Sequence, residues 1–371
     1  MWLANCFDIF MIDPSNKFPR DFRIFLTDTV KKPNALKIPK VLGFLLLAGL
    51  LGNSKAILAE PALQSTDSTI QTTDSQADNS HPSDSVEDKI STAISPSIDA
   101  SELKDYLQPK KLHLRSSAAL VMDEQDNVTF YERHADEKRP IASLTKLMSA
   151  MVVLDANLPM DELITITRDD QDKIRRSRSR LHFGVTLSRD DLLLMALAAS
   201  ENRAALALAR TYPGGSVAFV KAMNRKAKEL GLVKTKYLDA AGLHTGNVST
   251  PNELAVIIKA AYQYPLIREM TTTERSMVYD SKSDRYVAFV NTNRLVRSDD
   301  WDIDLSKTGF ISEAGFCLVM RANVANRPVL IVLLNSWGKL SKYGDANRIK
   351  TWLQNAERKV LRIKDNVASV N

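Results

Sequence analysis

Cysteine is almost missing: the 371-residue chain carries only Cys6 and Cys317. Cys6 lies in a stretch read below as an export leader, which leaves one thiol in the mature chain. One thiol excludes an intrachain disulfide framework and a zinc site built on cysteines. Histidine is sparse too, at 81, 113, 134, 182 and 244. None of these sits in a catalytic motif, which argues against a histidine-based triad; surface or satisfied core roles are expected. No metal and no cofactor are expected. Zinc-finger spacing, an RNP signature and basic–aromatic interleaving are all lacking, so nucleic acid is not the expected partner. No apolar run reaches the ~20 residues that a bilayer-spanning helix needs.

What is present is charge, unevenly spread. The formal +6 divides into +4 for residues 1–59, −8 for 60–105 and +10 for the rest. A basic folded part suits an anionic surface, polymer or substrate. Near the start, Lys31, Lys32, Lys37 and Lys40 precede "VLGFLLLAGLLG", and small residues follow at Ser54, Ala56 and Ala59. A basic flank, a short apolar core (Val41 to Leu51) and a small-residue exit describe a signal peptide. Residues 1–59 are therefore read as leader and signal peptide, although the polar stretch before Lys31 is long for one. Residues 60–105 are rich in Ser, Thr, Asp and Gln and hold no aromatic. They cannot bury enough apolar surface to offset their ordering entropy, and a disordered acidic linker is expected. Residues 106–362 are expected to form a single folded domain, and 363–371 a short tail.

Within that domain, "SSAALVMD" (116–123) and "VTFYERH" (128–134), separated by "EQDN", read as a β-hairpin. Leu144, Leu147, Met148, Met151 and Leu154 recur at helical spacing. "SRDDLLLMALAAS", "NRAALALARTY" and "GSVAFVKAMNRKAKELG" read as further helices. "STPNELAVIIKAAYQY" opens with a capping box: Thr250 as cap, Pro251 first, Glu253 third. "WDIDLSKTGF", "GFCLVMRAN" and "RPVLIVLLNS" read as three antiparallel strands, and a last helix is expected at about 341–359. Early strands, a helical middle and late strands predict an α+β fold with one antiparallel sheet flanked by helices.

The pattern S-x-x-K occurs three times, as Ser101/Lys104, Ser143/Lys146 and Ser336/Lys339. Only Ser143 opens an apolar-striped helix. Residues three apart share a helix face, so Lys146 can reach the Ser143 hydroxyl. Ser200-Glu201-Asn202 interrupts the apolar stretch "MALAASENRAALALA", where polar residues need a reason. Lys307-Thr308-Gly309 falls in an expected strand, where glycine marks close backbone approach. Arg175–Arg180, "RRSRSR", reads as a solvated basic loop, or as a contact for substrate carboxylates or an anionic partner.

S-x-x-K, S-D-N and K-T-G in this order are the set found in class A β-lactamases and penicillin-binding proteins. The chain resembles the serine DD-peptidases, the low-molecular-mass penicillin-binding proteins, over roughly 110–357. Serine-Glu-Asn in place of S-D-N, and Phe310 after K-T-G, make it most similar to the D-alanyl-D-alanine endopeptidases of the penicillin-binding protein 7 type. The resemblance implies a β-lactamase/DD-peptidase-like fold and a periplasmic enzyme. It implies Ser143 as acyl-accepting nucleophile, Lys146 as its base and Ser200 as proton relay. Asn202, Lys307, Thr308, Gly309 and Phe310 would bind substrate, with the Ser143 and Phe310 backbone N–H groups forming an oxyanion hole. The partners implied are peptidoglycan cross-bridge peptides, with β-lactams as inhibitors. The chemistry is coherent, because a lysine serves as base only when burial and a second cation, here Lys307, lower its pKa to about 7–8.

The expected activity is endopeptidase cleavage of peptidoglycan cross-links through an acyl-enzyme. The nearest rival is a DD-carboxypeptidase removing terminal D-Ala. A β-lactamase is disfavoured because Glu229 and Leu232 are followed by Val233 where E-x-x-L-N needs Asn. A β-lactam sensor or peptidoglycan-binding scaffold is the rival from another class.

Overall fold

A computed structural model describes residues 98–369. The expected leader and nearly all of the acidic tract lie outside the described residues. The chain enters through α1 (Ala100–Tyr106), capped by the Asp99 side chain on Ser101 N. The linker was expected to run to 105, yet Ala100, Leu103 and Leu107 are buried. They recur at i, i+3 and i+7, a helical stripe that the surrounding Ser and Asp composition hides.

The hairpin of β1 (Ser116–Asp123) and β2 (Thr129–Arg133) comes next. It is followed by β3 (Arg139–Pro140), a 3-10 turn at Ala142–Thr145 and α2 (Lys146–Asp155). Strands β4 (Leu163–Thr165) and β5 (Thr186–Ser188) pair at the ends of the basic loop. The helical middle holds α3 (Arg189–Leu197), α4 (Asn202–Arg210) and α5 (Gly215–Glu229). A loop leads to β6 (Val248–Ser249), which pairs with β3. Then come α6 (Pro251–Tyr262), α7 (Pro265–Thr272) and a hairpin of β7 (Arg275–Asp280) and β8 (Arg285–Val290). The chain ends with β9 (Asp302–Ile311), β10 (Gly315–Val324), β11 (Arg327–Ser336) and α8 (Ser341–Ala368).

One five-stranded antiparallel sheet has the order β2-β1-β11-β10-β9, so first and last strands meet in its middle. Six consecutive residues are buried in each of β10 and β11, because helices cover both faces. Leu330, Val332 and Leu334 face the core shared with α2–α7. Val329, Ile331 and Leu333 face α1 and α8. This is the α+β architecture the sequence predicts, and it makes β9 an edge strand beside the helical layer.

Two terminal expectations need correction. Helix α8 does not stop near 359, and 363–368 is not a tail but its continuation. No Gly or Pro follows Gly344, and Lys364 pairs with Glu102 of α1 at 2.8 Å. The capping box of α6 is half present. Thr250 Oγ1 accepts from Glu253 N at 3.1 Å, but the Glu253 carboxylate accepts instead from Lys234 N and Thr235 Oγ1.

Candidate active site

Ser143 was expected on the first turn of an α-helix. It sits one turn earlier, in the 3-10 segment, and α2 begins at Lys146. The preceding Ala142 has φ +47, a left-handed conformation that costs a non-glycine residue energy and persists only where neighbours hold it. Two glycines do so by allowing backbone contact. A Cβ on Gly242 would lie 1.9 Å from Ala142 O, and one on Gly309 would lie 3.2 Å from Ser143 N. Turn, loop and edge strand therefore meet at the Ser143 amide. Gly242 also has φ +79. Gly242→Ala is expected to cost about 3 kcal/mol or more, seen in a thermal melt as a Tm lower by roughly 6–12 °C.

Lys146 is 1% exposed. Its Nζ lies 2.8 Å from Ser143 Oγ, 2.7 Å from Asn202 Oδ1 and 2.7 Å from Ala241 O. Burial pulls its pKa down to about 8, against the opposing pull of Asp239, Glu201 and Asp172. Lys307, also 1% exposed, is held well below the ordinary lysine range by burial and by the Lys146 charge. Burial is thus the main cause at Lys146. The repulsion expected between the two lysines is present, and it adds to burial at Lys307.

The break between α3 and α4 carries Ser200-Glu201-Asn202. Ser200 has φ +59, and its hydroxyl makes no hydrogen bond among the described residues. Glu201 caps α4 through its side chain on Arg203 N. Asn202 was expected to hold a substrate amide, but both ends of its carboxamide are engaged by protein. Its Oδ1 accepts from Lys146, and its Nδ2 donates to Ser177 Oγ at 2.9 Å.

On β9, Lys307 Nζ donates to Thr308 O at 3.2 Å, and Thr308 Oγ1 meets Thr292 Oγ1 at 2.7 Å. Phe310 is 54% exposed, its ring stacked on Phe316 with centroids 4.3 Å apart. The other two S-x-x-K matches take no part: Ser336 Oγ bonds Ser116 Oγ, and Ser101 lies on α1. His134 and His182 pair with Glu137 and Asp280.

Sequence reasoning missed the 239–247 loop. Asp239 accepts from the backbone N of Ala241, Gly242, Leu243 and His244. That wrap turns the Ala241 carbonyl toward Lys146. Asn247 ties the loop to the turn that carries Ser143, through Nδ2 on Thr145 Oγ1 at 3.0 Å. The only signal was the turn-rich string "DAAGLHTGN". The basic loop is solvated as expected at Arg176, Arg178 and Arg180, which are exposed, but two of its arginines also bond the protein. Arg175 donates to Leu243 O at 2.9 Å and pairs with Glu313 at 2.8 Å, and Arg180 donates to Ala288 O.

Comparison with known proteins fits this geometry. A family model described as D-alanyl-D-alanine carboxypeptidase matches residues 105–338. The D-alanyl-D-alanine endopeptidase of Escherichia coli is 45% identical over 241 residues, 65% of this chain and 78% of that protein. The one from Pseudomonas aeruginosa is 42% identical over 268 residues, 72% and 86% of the two chains. A Streptomyces DD-transpeptidase crystal structure superposes with a TM-score of 0.61 at 28% identity, over 66% of this chain and 98% of that one. A Listeria monocytogenes penicillin-binding protein solved with cefotaxime bound gives 0.56 at 31% identity, over 67% and 99%. The fold and the sequence of its folded part agree, and this chain belongs to the D-alanyl-D-alanine carboxypeptidase family of serine DD-peptidases.

Proposed function

We propose that this protein is a serine D-alanyl-D-alanine endopeptidase that cleaves peptidoglycan cross-links through an acyl-enzyme on Ser143. The observation that carries the reading is a buried lysine amine, with a pKa of about 8, placed 2.8 Å from a strained-turn serine hydroxyl. Neutral Lys146 has two N–H groups and one lone pair. Asn202 Oδ1 and Ala241 O each take an N–H, so the lone pair is left for the Ser143 proton.

As Ser143 Oγ bonds to the D-alanyl carbonyl carbon, its proton passes to Lys146. The oxyanion is held by the backbone N–H groups of Ser143 and Phe310, a donor pair worth about 10²–10³ in rate per member. Collapse breaks the C–N bond, and the proton reaches the leaving amine through the free hydroxyl of Ser200. Lys307 and Thr308 bind the substrate beside it. Water then attacks the ester, releasing the acid and restoring Ser143. A β-lactam enters the same first step and stays bound as its ester. The endopeptidase reading rests on the names of the relatives at 42–45% identity. Carboxypeptidases match at 28–31%, which keeps terminal D-Ala release as the second reading.

The setting we propose is the periplasm, reached through the leader in residues 1–59. Among the described residues no helix is long and apolar enough to cross a membrane.

Acylation needs the neutral amine. Its rate with a labelled penicillin is expected to rise with pH and to reach half its plateau near the lysine pKa of about 8. An unshifted lysine would place that point at about 10.4. A stopped-assay pH series on the mature protein checks this, and a rate flat from pH 6 to pH 10 (about four decades of proton concentration) counts against Lys146 as base.

A further inference from the structure

One hydroxyl of the basic loop reaches the catalytic machinery. Ser177 Oγ lies 2.9 Å from Asn202 Nδ2 and accepts its hydrogen. Behind it stands Asp172, only 3% exposed. One Asp172 oxygen accepts from Ile174 N at 3.0 Å and Arg175 N at 2.8 Å; the other accepts from Ser177 N at 3.0 Å. Burial pushes the Asp172 carboxyl upward, but the bonds from Arg175, Ser177 and Ile174 outweigh it and hold the group below the usual carboxylate range. Asp172 is therefore an anion with only acceptors to offer. The Ser177 side chain also donates toward it, and Ser177 Oγ accepts from Asn202 Nδ2.

That polarity matters because a carboxamide has two ends of nearly the same shape. Turned by half a rotation, Asn202 would present an N–H to Lys146. The donor would then compete with the Ser143 hydroxyl for the single lone pair of the neutral amine. An acceptor at the far end disfavours the turned amide, which would set oxygen against oxygen unless the Ser177 hydroxyl turned as well. Arg175 keeps the loop in register, donating to Leu243 O at 2.9 Å and pairing with Glu313 beyond β9 at 2.8 Å.

We propose that Ser177 is a positioning residue: backed by Asp172, it fixes the Asn202 carboxamide with its oxygen toward Lys146, so that the lysine lone pair is aimed at Ser143. The proposal deepens the serine-peptidase reading above and rests on it. Lys146 is faced by Lys307 of β9, Glu201 ahead of α4, Asp239 of the 239–247 loop and Asp172 itself. None of these charges is altered by substituting Ser177, so a change in the titration of Lys146 would report the amide.

The test compares labelled-penicillin acylation against pH for the wild type, Ser177→Ala and Ser177→Thr, with a thermal melt of each. Ser177→Ala is expected to acylate roughly tenfold or more slowly at the plateau. Its half-maximal pH is expected to fall, because the oxygen that stabilises the ammonium no longer faces it. Ser177→Thr keeps the hydroxyl and should restore both rate and pH profile. Three results would overturn the proposal: an alanine variant that acylates like the wild type, a slower one whose pH profile has not moved, or a threonine variant that rescues neither. A wild type that takes no penicillin at all would instead bring down the serine-peptidase reading, and this proposal with it.

Discussion

Ser143→Ala is expected to take up no labelled penicillin and to lose roughly 10⁴–10⁶-fold of its cross-link cleavage. The loss is that large because, among the described residues, no other hydroxyl is placed beside Lys146 as Ser143 is. Ser200 lies in the break between α3 and α4, and the hydroxyls of Ser149 and Thr145 are committed to Ala240 O and to Asn247. The fold should hardly notice. Beyond Lys146, the Ser143 hydroxyl has one partner among the described residues, Ala241 O at 3.4 Å, a long contact. Lys146 would keep its bonds to Asn202 and Ala241. A labelling gel and a thermal melt on the same preparation therefore separate loss of the nucleophile from loss of structure. Labelling that survives the substitution places the acyl group elsewhere.

Lys146→Ala and Lys146→Arg are expected to slow acylation by about 10³-fold or more, at the upper part of what general base catalysis supplies. The pair is informative because the two variants fail for different reasons. Alanine removes both base and charge and leaves Asn202 Oδ1 and Ala241 O without their donor. Arginine keeps the charge but cannot lose its proton in the working range, and a guanidinium is larger than a site that leaves lysine 1% exposed. If charge alone served the reaction, arginine would keep a substantial share of the rate. If the base serves, both variants fall together and both lose the rise in rate near pH 8. Stopped-flow acylation across pH distinguishes these cases.

Much of the fold was legible because its signals are local. β1 and β11 were bounded to the residue by "SSAALVMD" and "RPVLIVLLNS", runs of β-formers ended by turn residues. The helices α3, α4 and α5 followed from apolar composition and spacing. The edges were harder. The start of α1 hides in an acidic, Ser-rich window, and its three apolar positions have meaning only once α8 is there to bury them. The extension of α8 to Ala368 rests on packing and ion pairing with α1, which a sequence does not display.

The site was legible in its side chains and illegible in its backbone. Ser143, Lys146, Asn202 and Lys307 carry recognisable chemistry in recognisable order, and the fold brings them together. Gly242, Asp239 and the Ala241 carbonyl act through backbone geometry, and any turn-rich string resembles theirs. Ser177 lay in a basic loop whose charges drew attention away from its hydroxyl. Its contact with Asn202 depends on how the loop is held, and Asp172, 3% exposed, holds it through the Ser177 backbone N–H.

The proposed cross-link cleavage is best tested by product analysis. The protein is incubated with purified cross-linked muropeptide dimers and, separately, with pentapeptide monomers, and Ser143→Ala runs beside it. Wild type is predicted to convert dimers to monomers, and Ser143→Ala is predicted to leave them intact. Dimers that remain whole while pentapeptides lose their terminal D-Ala would contradict the endopeptidase reading and leave a carboxypeptidase in its place.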